Sequence, residues 1–213
     1  MDVYKTDEEQ IESLRKWWEE NGTSVVFGLL LGLGVLFGWR WWQQARLDQG
    51  EAASALFQNL METSRGDDTK LTRAAAQTIV AEYGSTAYAL FAKLLLAKLA
   101  VEDKDYGAAE QHLRWALDNS GEQSISHEIR LRLARVLVAR EAYQAALNIL
   151  NSGDPGQFAA DYNELRGDIS IYQGDTEGAR LAYQEAIANK RIIGGDTAKL
   201  ELKLDDLGHP GLQ

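Results

Sequence analysis

Three histidines, His112, His127 and His209, and a surplus of carboxylates are the groups in this chain able to move a proton or hold a metal. Helical metal ligands need i, i+4 spacing or a dense cluster, and none of the three histidines stands so from another. They read as surface or packing residues. Paired Asp and Glu could serve glycoside hydrolysis, yet such pairs also decorate any acidic helical surface. With no cysteine there is no thiolate nucleophile and no Cys-ligated metal. No Gly-x-Ser-x-Gly elbow or phosphate-binding loop occurs, and Gly32-Leu-Gly34 lies inside an apolar run where no phosphate would be cradled. The expectation is a protein without catalytic residues, metal or cofactor; a hydrolase using an acidic pair is the weaker alternative.

The chemistry left is recognition, and apolar surfaces dominate it. Asn21 to Trp39 form nineteen residues without a charge. As a helix this covers roughly 28 Å, close to the hydrocarbon thickness of a bilayer. Trp17 and Trp18 precede the run and Trp39, Trp41 and Trp42 close it, which suits indoles at both membrane interfaces, with Arg40 snorkelling to the headgroups. A core helix is rarely uncharged for so long, and a cleavable signal would need a basic leader and small residues at its exit. The leader here is acidic and the exit is Trp39-Arg-Trp-Trp42, so the segment 21–42 reads as an uncleaved signal anchor. Gly28, Gly32, Gly34 and Gly38 make two small-xxx-small pairs that would let a second membrane helix approach.

Residues 1–20 hold three Lys or Arg and seven acids. Thr6 with Glu9 makes a capping box, and Ile11, Leu14 and Trp18 recur at helical spacing, so a short amphipathic helix ending at Asn21-Gly22 is expected. Basic residues near the anchor lean only slightly toward a cytoplasmic N-terminus. The chain as a whole carries 22 Lys plus Arg against 32 Asp plus Glu, a net charge of -10. That leaves no global cationic field for a phosphate backbone, so nucleic acid is not an expected partner.

Beyond Gln43 the chain reads as short helices with polar breaks, and the helices repeat. Ala97, Ala134 and Gly167 each begin a twelve-residue step to Ala109, Ala146 and Ala179, and Leu113, Leu150 and Tyr183 stand four residues on. Ala116 and Ala186 extend the match. Units spaced by 37 and then 33 residues bracket the tetratricopeptide period. The small residues mark where two antiparallel helices cross closely. The fold class expected is all-α, a single transmembrane helix followed by a tetratricopeptide-like solenoid of helical hairpins. Its parts are the tail 1–20, the anchor 21–42, a linking hairpin 43–84, three repeats over 85–191 and a closing segment 192–213 with a short helix from Thr197 to Leu207.

A solenoid offers a groove lined by the first helix of each unit. Equivalent offsets place Phe91, Leu94, Lys98 and Val101 there, then Glu128, Leu131, Arg135 and Val138, then Asp161, Glu164, Asp168 and Ile171. Apolar side chains interleaved with both charge signs would suit polypeptide partners.

Met-Asp-Val-Tyr4, Thr-Asp-Glu-Glu-Gln10, Trp17-Trp18-Glu-Glu-Asn-Gly22, the glycine-punctuated anchor and Gly38-Trp-Arg-Trp-Trp42 strongly resemble the N-terminus of the YfgM family, ancillary subunits of the bacterial SecYEG translocon. The similarity continues through Leu131-Arg-Leu-Ala-Arg135, Leu165-Arg-Gly167 and Gly174-Asp175-x-x-Gly178-Ala-Arg180. The resemblance implies an inner-membrane protein with a cytoplasmic N-terminus and a periplasmic repeat domain. It also implies partnership with SecYEG, with the membrane-anchored chaperone PpiD and with newly translocated polypeptides. A second implied role is a regulatory adaptor whose cytoplasmic tail binds a stress-response regulator. The family carries no catalytic residues. Gly208-His-Pro-Gly211 matches no feature of the family.

Overall fold

The computed structural model describes residues 7–66 and 68–208, which contain α-helices, one 3-10 turn and no strand. Met-Asp-Val-Tyr4, Thr6 of the capping box and His209-Pro-Gly211 lie outside the described residues. The chain divides into two compact units, Met1–Ala52 and Ala53–Gln213.

The first unit is built on α1 (Asp7–Thr63). No break occurs at Asn21-Gly22, where the sequence predicts one. The Asn21 side-chain amide donates to the Trp17 carbonyl at 3.1 Å, and the Trp18 indole lies over Gly22, so both residues are tied to the turn before them. A helix-interior glycine costs about 1 kcal/mol, too little to stop a helix already propagating on both sides. Val25, Phe27, Leu29, Leu30, Leu31, Val35, Leu36 and Phe37 are all exposed. The apolar stretch of α1 is long and apolar enough to cross a membrane, and only 6% of it is buried in the protein. A core helix would be covered by its own chain; this one is not.

In the second unit the end of α1 packs with α2 (Thr69–Glu82) and α3 (Ala87–Glu102) around Leu60, Ala76, Ile79, Ala92 and Leu96. Three hairpins follow. They are α3 with α4 (Tyr106–Asp118), α5 (Gln123–Ala139) with α6 (Tyr143–Leu150), and α7 (Ala159–Tyr172) with α8 (Thr176–Ile192). A short α9 (Ala198–Asp206) closes the series.

Each hairpin turns in the same way, at repeat-equivalent positions. Lys104, Glu141 and Gly174 have left-handed φ of 60°, 60° and 76°. The following amides of Asp105, Ala142 and Asp175 donate back five residues to the carbonyls of Ala100, Leu137 and Ser170 at 2.8, 2.9 and 2.9 Å. This helix-ending motif satisfies carbonyls that the helix itself leaves open. Asp105 and Asp175 then cap the next helix through Ala108 N–H and Gly178 N–H.

The residues at the twelve-residue offset are buried as the close-crossing argument requires. Ala109, Ala134, Ala146 and Ala179 are fully covered, Ala97 nearly so. Their neighbours differ between units. Leu113 and Leu150 accompany Ala97 and Ala134, whereas Tyr183 accompanies Gly167, and a Cβ on Gly167 would run into the Tyr183 ring. A larger ring is matched by the loss of a methyl group across the crossing.

Candidate partner-binding site

A cavity of about 690 Å³ opens among the end of α1, α3, α4 and α5. Of the groove positions expected from sequence, Phe91, Leu94, Lys98 and Val101 from α3 and Arg135 from α5 line it. Phe91 and Val101 are exposed although both are apolar. Phe57 and Met61 from α1, Glu102 from α3, Tyr106 from α4, and Arg132 and Val136 from α5 also line it, and equivalent offsets miss them because they lie off the first-helix stripe. The Phe57 ring stands 5.3 Å from Tyr88 and 6.1 Å from Phe91, so an aromatic cluster stiffens one wall.

The remaining expected positions lie elsewhere. Leu131 is 2% exposed and belongs to the core, and Val138 is half-buried against the same core. Glu128 is exposed and pairs with Arg132 at 3.6 Å. In the third unit the acids face their own chain. Asp161 meets Lys190 at 3.5 Å, Glu164 meets both Lys199 and Lys203 at 2.8 Å, and Asp168 meets Lys203 at 2.5 Å. The Tyr183 hydroxyl also donates to Asp168 at 2.8 Å. Ile171 is exposed, next to the exposed Tyr172, and does not line the cavity.

Burial alone would raise the Glu164 carboxyl, but hydrogen bonds from Lys199 and Lys203 outweigh it and hold its pKa below the usual carboxylate value. Burial likewise opposes the charge on Lys203, and its hydrogen bonds to Asp168 and Glu164 raise its pKa regardless. Burial and the hydrogen bond to Asp168 push the Tyr183 phenol up as well. The offsets could not reveal this network from one unit at a time. Its signal is an acid and a base about one repeat apart, since Glu164 and Lys199, and Asp168 and Lys203, are each separated by 35 residues.

The two described histidines, His112 and His127, sit at least partly buried in the repeat domain, and His209 lies outside the described residues. His127 is buried, stacks on Phe158 at 4.9 Å, and shares a hydrogen bond of 2.9 Å between its Nδ1 and the Tyr162 hydroxyl. Burial first, then Arg130, lowers its pKa, with Asp154 opposing. His112 is lowered by burial and by Lys93 and Arg73. A histidine lowered on folding stabilises fully above its unfolded pKa of about 6.5, and that stability is lost as pH falls through the folded value. Unfolding free energy should therefore drop from about pH 7 to pH 5. The His127→Gln variant should show a slope shallower by up to about 1.4 kcal/mol per pH unit, as read by urea titration. An unchanged slope would remove His127 from the account.

In the first unit a Cβ placed on Gly28, Gly32, Gly34 or Gly38 would meet nothing within 4 Å. No contact among the described residues requires these glycines. Trp17, Trp18, Trp39, Trp41 and Trp42 are all exposed. The Trp39 and Trp42 rings lie 5.1 Å apart, and the Arg46 guanidinium sits 4.1 Å over the Trp42 ring. Arg40 is exposed beside them. Among the described residues no group of three His, Asp or Glu side chains is placed to hold a metal.

The tetratricopeptide repeat-like domain family matches residues 15–209. The chain is 34% identical over 201 residues to a Haemophilus influenzae protein named ancillary SecYEG translocon subunit, covering 94% of this chain and 98% of that one. Proteins of the same name from Escherichia coli K12 and Aggregatibacter actinomycetemcomitans are 30% and 31% identical. These alignments cover 97% and 96% of this chain and 99% and 100% of the relatives. Repeat hairpins, an uncovered apolar helix ahead of them and likeness over nearly the full length of both chains lead to one conclusion: the chain belongs to the YfgM family of ancillary SecYEG translocon subunits, with a tetratricopeptide repeat-like domain.

Proposed function

We propose that this chain is a non-enzymatic, single-pass inner-membrane protein that works beside the SecYEG translocon. Its N-terminus lies in the cytoplasm and its repeat domain in the periplasm. There it acts as a chaperone or scaffold that takes newly translocated polypeptides, with PpiD, and passes them onward. The observation that carries the reading is the near end-to-end match to chains named for the translocon, which runs through anchor and repeats alike. The uncovered apolar stretch of α1 supports membrane anchoring. The unfilled glycine positions support close contact with a neighbouring membrane helix.

Mild-detergent purification followed by mass spectrometry tests this. Translocon subunits should copurify with the full chain, and replacing Gly32 and Gly38 by Ile should reduce their crosslinking to it. Absence of translocon subunits from a preparation that retains other membrane complexes would refute the assignment.

A further inference from the structure

Side chains one repeat apart meet across α7 and α9, whereas across α3 and α5 they line a common cavity, and the two seams differ in charge. Between α7 and α9, Asp168 and Glu164 meet Lys203 and Lys199, and the seam is closed by ion pairs. Around the cavity, Lys98 of α3 and Arg132 and Arg135 of α5 outnumber the one lining carboxylate, Glu102 of α3, and the groove between them is open and largely apolar. Among the described residues Lys98 and Arg132 form ion pairs only with Glu102 and Glu128 of their own helices, each at 3.6 Å and each exposed. Exposed i,i+4 pairs of this kind are weak and exchange readily with another carboxylate. Among the described residues Arg135 has no carboxylate partner.

Residues 43–213 hold 18 basic and 25 acidic side chains, so three cations against the single carboxylate of Glu102 around one apolar cavity reverse the prevailing sign. A low-dielectric wall strengthens such a local field. The cations also stand on two helices. That spacing fits carboxylates distributed along a polypeptide better than the single head of a fatty acid.

We propose that the groove between α3 and α5 takes amphipathic polypeptide segments whose apolar side chains are flanked by Asp or Glu, and discriminates against segments flanked by Lys or Arg. The proposal rests on the reading of the repeat domain as polypeptide-binding and adds the sign of charge it selects. Apolar anchors displace water from Phe91, Leu94 and Val101, while the planar fork of Arg135 grips a carboxylate in two hydrogen bonds.

The test uses the full chain in lipid nanodiscs, because detergent would fill the groove. Fluorescence anisotropy would compare a synthetic amphipathic helical peptide with Leu and Phe anchors and flanking Glu against its twin with flanking Lys. The Glu peptide should bind at least about tenfold tighter, in line with a charge-assisted contact, and the gap should narrow as salt rises. Arg135→Glu should cut Glu-peptide affinity about tenfold and favour the Lys twin. Arg135→Gln should fall between, and Phe91→Ser should weaken both peptides. Circular dichroism on each variant separates lost binding from lost folding. Equal binding of the twins, tighter binding of the Lys twin by the native chain, or no response to Arg135→Glu would overturn the proposal. So would oleate binding in the groove when neither peptide binds. Should peptide discrimination fail while translocon subunits still copurify, only the groove assignment falls; the converse result would sink the translocon reading alone.

Discussion

Replacing Gly167 by Ala should lower the stability of the repeat domain by about 2 kcal/mol, although the same change in an ordinary helix interior gains about 1 kcal/mol. The new methyl group would overlap the Tyr183 ring. That ring has little room to move, being 3% exposed with its hydroxyl held by Asp168, which Lys203 also engages. In a chain of this size the loss corresponds to a melting point lower by roughly 4 to 8 °C. Tyr183→Leu alone should also destabilise, by about 2 to 3 kcal/mol, through the hole it leaves and the hydroxyl it removes. The double variant recreates the Ala and Leu pairing of the first two units. It should be more stable than the sum of the single changes predicts, with a coupling of about 2 kcal/mol in a double-mutant cycle. Strict additivity would mean that the two residues do not constrain each other.

Changing Leu30 and Leu33 together to Arg should release the chain from the membrane. Both sit near the middle of the uncharged run, and both are exposed on α1. A charge at a helix centre costs about 2.5 to 3.5 kcal/mol in insertion, so two place roughly 6 kcal/mol against integration. Alkaline extraction of membranes gives the readout. The native chain should stay with the lipid, and the double variant should appear in the soluble fraction or be degraded. Full retention of the double variant would show that α1 is not held by the bilayer.

The anchor stretch is legible from sequence because it depends on composition alone: nineteen residues without charge fit no ordinary core helix. The hairpins are legible because close crossing demands small residues at a fixed offset, and Ala97, Ala134 and Gly167 answer that demand one after another. Two features escape such reasoning. The helix through Asn21-Gly22 persists because Trp17 and Trp18 occupy its weak points, a local rescue that turn propensity does not express. The walls of the cavity escape as well. Phe57 and Met61 come from a helix outside the repeat pattern, and their placement follows from packing between helices rather than from any periodicity. The acids of the third unit keep the offsets expected of groove residues, yet α8 and α9 engage them from within the chain, and no single unit foretells that.

The exchange of Ala with Leu for Gly with Tyr makes the three hairpins chemically distinguishable to one another. If α7 paired with α4 during folding, Gly167 and Leu113 would leave a void at the crossing. If α3 paired with α8, Ala97 would strike the Tyr183 ring. Either mistake is penalised at the contact that defines a hairpin, before neighbouring units can stack. Repetitive chains are prone to such misassembly, especially when segments emerge one after another. One buried tyrosine thus serves as a sorting mark, biasing the third hairpin toward its own partner while the first two remain free to form by the same rule.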